Sequence, residues 1–292
     1  MTGVEISGRK DLKIERVLVK NAAGKLCADA QCNGFYEAFV LMIRTCDSAE
    51  DIATGTMISD CEVSDFKGGY CTAIGIAGNG SGSLGKVSGT VQNCRVKFPP
   101  KVSGDFFAAY GSGGSNGILY ENNISWGANK GFNNDYQTGE KIALRGNLFL
   151  DVTDAGSRGA VLLASHNSVL EGNIFSLIGT GTGGGGVAAV AIGGMNSTNW
   201  SGAENWILQG NLIFTAGTAP AGISFAASGD KPLDCVFQDN RMSGVTSNDG
   251  LPNPDTFNHW YNNTDFSGNN NLPSISSLQI TNRWDSSKNG PP

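Results

Sequence analysis

The chain has 292 residues, 39% of them hydrophobic and only 16% charged, with 42 glycines and a formal net charge of −6. That is enough apolar material for one continuous core, and an acidic balance with no basic run argues against a nucleic-acid partner. No apolar run approaches membrane-spanning length and no signal peptide opens the chain, so no membrane partner is expected either.

In chain order, Gly3-Val4-Glu5-Ile6-Ser7 already reads as a strand in mid-coil. An open end of stacked strands needs covering, so the expectation is that a leader and an N-terminal cap are missing from this chain. The plainer alternative is a genuine start with an unusual cap. Lys13 to Val19 opens a repeat, and Asn21 to Asn33 is a polar insertion carrying Cys27 and Cys32, which would bridge to each other or to Cys46 in an oxidising compartment. Cys61, Cys71, Cys94 and Cys235 fall on strand-like stretches and are expected buried and reduced. No CxxC pair is present to suggest structural zinc.

The repeat is clearest at Leu170-Glu171-Gly172-Asn173-Ile174-Phe175. It returns around Asn123, Asn147, Asn211, Asn240 and Asn263, and around Cys61 and Cys94 where Cys replaces the Asn. Three residues earlier stands an apolar or aromatic side chain, Ile58, Val91, Tyr120, Leu144, Leu170, Leu208, Phe237 or Trp260. Two residues later stands Val63, Val96, Ser125, Phe149, Phe175, Ile213 or Met242. One residue earlier stands Gly, Asn or Asp, the types that tolerate a left-handed backbone. Each copy therefore predicts strand, tight bend, strand, with a period of two. From Cys61 onward the copies lie 33, 29, 24, 26, 38, 29 and 23 residues apart, a solenoid period. Few charges and many glycines argue against helical repeats. The predicted unit is a coil of short β-strands in which stacked Asn amides pass hydrogen bonds from coil to coil.

A third strand per coil is expected at Glu37 to Ile43, Thr72 to Ala77, Phe106 to Tyr110, Gly131 to Tyr136, Gly159 to Ala164, Val187 to Ile192 and Gly222 to Ala226. Variable loops join them, among them Asn79 to Lys86, Gly111 to Gly117 and Gly193 to Glu204. Such loops are where function usually sits. The glycine run from Gly179 to Gly186 lacks a following Lys-Ser/Thr and is read as a loop rather than a phosphate cradle. Residues 285–292 form a polar tail expected to be disordered.

This pattern resembles the right-handed parallel β-helix of the pectate-lyase-like superfamily, which has an asparagine ladder beside the bend between its second and third sheets. The series from Asn123 to Asn263 matches that ladder. The resemblance covers about residues 3 to 270. It implies an all-β, right-handed parallel β-helix solenoid of roughly nine coils, one domain over residues 1–292. It also implies a secreted, cell-surface or virion-borne protein acting on an extended polysaccharide, as a lyase or a glycoside hydrolase. Homo-oligomers through the uncapped end or along the side of the solenoid fit the same picture. The family's sharper signatures are missing: there is no Asn-Thr-Asp with Gly-His-Gly, no calcium and Arg motif, and no Asp-Pro-His-Asp. Cofactor use, calcium included, stays open.

A lyase needs a base and a group that neutralises a uronate. A hydrolase needs two carboxylates, about 5 Å apart when retaining and about 6.5–9.5 Å apart when inverting. By position, the candidate catalytic residues are Asp105, Asp135, Arg158 and His166, spread over three consecutive coils. Tyr110, Phe132, Asn133, Asn134, Tyr136 and Trp126 are the candidate substrate-binding residues, their rings suited to the CH faces of sugars. The plain alternative is a solvated face of turn-forming Asp and Asn, with the aromatics covering coil ends. The alternative function is a non-catalytic β-helix: a tail-spike shaft, an adhesin or a sugar-binding module.

Overall fold

The computed structural model describes residues 4–7, 10–21, 38–44, 52–65, 71–77, 86–98, 107–113, 116–128, 130–134, 140–152, 161–163, 167–177, 190–192, 205–215, 223–225, 235–242, 259–261 and 264–265. They build a parallel β-helix. Among the described residues three sheets of eight, nine and nine strands run along the molecule, and the chain visits first, second and third sheet in turn on the first eight coils, the ninth being described in the second and third sheets. The fourth coil shows the pattern: Phe107–Gly113, then Asn116–Glu121, then Ile124–Trp126. Each strand pairs in parallel with the equivalent strand one coil before and one coil after.

Register follows the repeat. In the second sheet one column runs Ile14, Ile58, Val91, Tyr120, Leu144, Leu170, Leu208, Phe237 and Trp260. Its members from Ile14 to Phe237 are buried. In the third sheet the facing column runs Val19, Val63, Val96, Ser125, Phe149, Phe175, Ile213 and Met242. Period-two alternation sends the columns inward over Ile14 to Phe237 and Val19 to Ile213, where they meet across the core. Tyr110, Tyr120, Phe132, Phe149 and Phe175 fill its middle. Phe149 and Phe175 are stacked at 5.1 Å, and Tyr120 and Phe132 pack edge to face at 5.0 Å. Gly131 sits beside this cluster because a Cβ there would overlap the Phe149 ring.

The bend between second and third sheets turns on one left-handed residue per coil. These are Arg16, Asp60, Asn93, Asn122, Gly146, Gly172, Gly210 and Asp239, with φ between 53° and 62°. The next residue is the ladder. Asn147 Nδ2 donates to the carbonyl of Tyr120 and to Oδ1 of Asn173. Asn147 Oδ1 accepts from the backbone N–H and Nδ2 of Asn123. The same four-bond pattern repeats at Asn173 and Asn211. All of these amides are buried and satisfied, as a polar row in an apolar core must be.

The seven third strands expected in the sequence are present, within a few residues at their ends, as strands of the first sheet. The Gly111 to Gly117 loop is corrected. Residues 111–113 finish one strand and Asn116 begins the next, so only two residues separate the first and second sheets there. A second left-handed column, absent from the sequence reading, lies six residues before the ladder: Asp11, Gly55, Gly117, Lys141, Asn167 and Asn205. At Asp11, Asn167 and Asn205 it stands just before the second-sheet strand, and at Gly55, Gly117 and Lys141 it lies within the first half of that strand. Asn205 Nδ2 donates to Asn167 Oδ1 at 3.1 Å along the column.

Candidate functional site

The first sheet is where the sequence places its patch, and it differs from the second in one respect. On the second sheet burial alternates, buried in the middle of Lys13–Glu15, Val169–Glu171 and Ile207–Gln209 and open on either side. On the first sheet, Thr72–Ile76, Ala109–Gly111 and Lys130–Asn133 are buried without a break. Both faces of that sheet are covered over these residues, as is usual for parallel sheets.

Asp105, Asp135, Tyr136, Arg158 and His166 lie outside the described residues. Asn134 ends the strand Lys130–Asn134 and pairs with Leu163. Asn133 pairs with Gly111 and Leu162 and is 2% exposed. Two of the expected sugar platforms are corrected. Tyr110 and Phe132 are 1% and 0% exposed and belong to the aromatic core, so neither ring has a face for a ligand. The Tyr110 hydroxyl lies between the carbonyls of Cys94 (2.9 Å) and Ile124 (2.8 Å), which share its one proton, and that of Tyr120 donates to the carbonyl of Gly111 (2.6 Å). These phenols brace the sheets against one another, and burial holds both well above the usual tyrosine range. Trp126 is half-buried on the third sheet, away from the first. Its Nε1 donates to Asp151 Oδ2 at 2.7 Å. Lys130, which the sequence reading passed over, is 1% exposed and engaged by a neighbouring group.

An open concavity among the described residues lies elsewhere. It is a groove of about 500 Å³ along the bend between second and third sheets, spanning four coils. The left-handed residues Asp60, Asn93, Asn122 and Gly146 line one side. The residues just after the ladder, Glu62, Arg95, Ile124 and Leu148, line the other. Between them sit the ladder residues Cys61 and Cys94. The fold explains why these types meet. The left-handed position selects Asp, Asn and Gly, and the residue after the ladder alternates outward from the core. One end of the groove thus offers carboxylates, amides and a guanidinium, and the other an aliphatic surface. Hydroxyls and apolar CH faces of a sugar would find partners there. The signal was present in the repeat, where Asp60-Cys61-Glu62 and Asn93-Cys94-Arg95 occupy the same phase.

The two thiols differ. The hydrogen bond from Cys94 lowers the Cys61 pKa to about 7, against the opposing effect of burial. Burial pushes the Cys94 thiol up. Cys61 points its sulfur at the carbonyls of Ile14 and Ser59, Cys94 at those of Ile58 and Gln92. Among the described residues no three His, Cys, Asp or Glu side chains gather as a metal set. No protein-family model matches the chain, and no curated protein matches it either.

Proposed function

We propose that this β-helix is a carbohydrate-active protein of the pectate-lyase-like superfamily, engaging an extended polysaccharide along its side and cleaving it as a lyase or glycoside hydrolase. The observation that carries the binding part is the groove at the second bend. Its backbone positions repeat once per coil, at about 4.8 Å, while the side chains on them grade from charged to aliphatic along the groove, a surface suited to an extended polymer that offers both hydroxyls and CH faces. Its volume lies in the range of small-molecule sites. The cleavage part rests on the sequence positions of Asp105, Asp135, Arg158 and His166, the candidate acid, base and uronate-binding groups. An extracellular, cell-surface or virion setting suits such a substrate.

A second reading is a non-catalytic shaft or sugar-binding module. It draws on the hydrogen-bonded ladder, continuous from Cys94 to Asn240. One screen separates the two. Acidic and neutral polysaccharides are incubated with the protein and read by ultraviolet absorbance of unsaturated products, by reducing ends and by retention on immobilised polymer. Turnover supports the enzyme. Retention without turnover supports the binding module. Neither signal on any polymer overturns the carbohydrate reading.

A further inference from the structure

Cys61 and Cys94 occupy the same ladder position on successive coils. Ser59 pairs with Gln92 before them and Glu62 with Arg95 after them, so the two cysteines are stacked in register. The backbone N–H of Arg95 donates to the carbonyl of Cys61 at 2.8 Å, which holds the coils together at this point. Both residues border the groove at the bend, with their sulfurs turned inward onto the ladder and the residues 1% and 0% exposed, so their oxidation requires a local opening of the bend. Neither is consumed in a disulfide.

We propose that Cys61 and Cys94 form a peroxide-reactive thiol pair, a modification site that closes to a disulfide between adjacent coils. In-register parallel strands lie about 4.8 Å apart, inside the roughly 4.4–6.8 Å Cα range that disulfides use. Closure asks the Cβ atoms to draw together by roughly 1 Å, from the strand spacing to the disulfide mean of about 3.8 Å, beside a bend rather than within a flat strand. The roles divide by environment. Cys61 is the attacking sulfur, the thiol of the two that is drawn below its ordinary pKa, chiefly by the adjacent Cys94. Cys94, deeper and kept protonated by burial, is the resolving thiol. The ionisable groups around them are Asp60 and Glu62 on the coil of Cys61, Arg95 beside Cys94, and Tyr110 from the core.

The chemistry balances with a hydroperoxide as oxidant. The Cys61 thiolate attacks one peroxide oxygen, the O–O bond breaks, and the departing alkoxide or hydroxide takes a proton, leaving a sulfenic acid. The Cys94 sulfur then attacks Cys61. The S–S bond forms, the S–O bond breaks, and water leaves with the Cys94 proton. Two thiols are oxidised and one peroxide is reduced to an alcohol, or water, and water.

The full chain is treated with hydrogen peroxide, its remaining thiols are alkylated, and the unreduced digest is weighed. The expected product joins the Cys61 and Cys94 peptides, two hydrogens lighter than their sum, and separates on reduction. In Cys94→Ser, Cys61 should halt as a sulfenic acid trapped by a cyclic 1,3-dione. In Cys61→Ser, Cys94 should stay unmodified. Circular dichroism checks that both variants keep their strands, and the wild-type product does not depend on them. A peroxide-treated wild type with both thiols still free, or with either joined to another cysteine, overturns the proposal. So does a Cys94 that oxidises equally well without Cys61. None of these readouts involves a polysaccharide, so the result stands apart from the functional reading.

Discussion

The backbone N–H of Cys94 donates to Oδ1 of Asn123 at 2.9 Å, and there the ladder changes from thiol to amide. Below that point Cys94 and Cys61 direct their sulfurs at Ile58 and Ile14, the carbonyls that an Asn Nδ2 reaches on the later coils. A thiol reproduces one bond of the amide, weakly, and cannot reproduce the amide's oxygen. The amide coils are therefore cross-linked more strongly than the thiol coils.

Asn173→Leu should expose that difference. It removes two donated bonds, to Leu144 and Asn211, and leaves the N–H and Nδ2 of Asn147 without their acceptor. Each buried group left unsatisfied costs about 1–3 kcal/mol, so the midpoint of chemical denaturation should fall sharply. Cys61→Val, which loses only weak thiol contacts, should move it far less.

At the bend, Gly172 has φ 62° and nothing within 4 Å of where a Cβ would stand. The cost of a side chain there is conformational alone. Gly172→Asn should be nearly silent, since Asn93 and Asn122 hold the equivalent place at φ 54°. Gly172→Val should lose about 1–2 kcal/mol, the penalty of a left-handed residue with a Cβ, and more for its branching. Equal melting temperatures for the two variants would contradict the turn geometry.

The phenols give a pH dependence with a definite sign. Tyr110 and Tyr120 are fully buried, and burial raises both above the ordinary value of about 10. The stability from keeping them neutral is intact below that value. It is lost as pH rises above it, because the unfolded chain ionises and the folded chain does not. The protein should therefore unfold in alkali, with tyrosinate absorbance and loss of strand signal arriving together. Tyr110→Phe should make that loss shallower while lowering stability near neutrality by about 0.5–1.5 kcal/mol.

What the sequence disclosed and what it hid have physical causes. The ladder bend was legible because its constraints act within six consecutive residues: an inward apolar group, a left-handed residue, an amide, another inward group. The second left-handed column was hidden because its positions hold Asp, Gly, Lys and Asn alike, and Lys141 at φ 57° is a residue no turn rule selects. Tyr110 and Phe132 misled because nearness to charged residues in sequence says nothing about side in a strand, where each step reverses direction. The sequence-level patch at Asp105, Asp135, Arg158 and His166 depends on loops whose lengths differ from coil to coil. The groove at Asp60, Glu62 and Arg95 needed only the repeat phase, but turn-forming Asp and Asn are ordinary at a bend and carried no weight alone.

Ser125 provides the last prediction. It occupies the inward column of the third sheet, paired with Val96 on one coil and Phe149 on the next, and it is fully buried. Its hydroxyl has no hydrogen-bond partner among the described residues. The ladder amides from Asn123 to Asn240 are satisfied, so in this part of the repeat the unmet cost falls on the Ser125 hydroxyl. A hydroxyl desolvated without a partner costs about 1–3 kcal/mol by mutational measures, whereas a methyl in its place suits the aliphatic and aromatic neighbours. Ser125→Ala should therefore raise the melting temperature, by an amount corresponding to about 1 kcal/mol. Ser125→Val, matching Val96 and Val63 in the same column, should do as well or better where the added volume fits. Melting curves of the two variants decide it: a fall in both would mean that the hydroxyl is bonded in the folded protein and that this column is polar here by need.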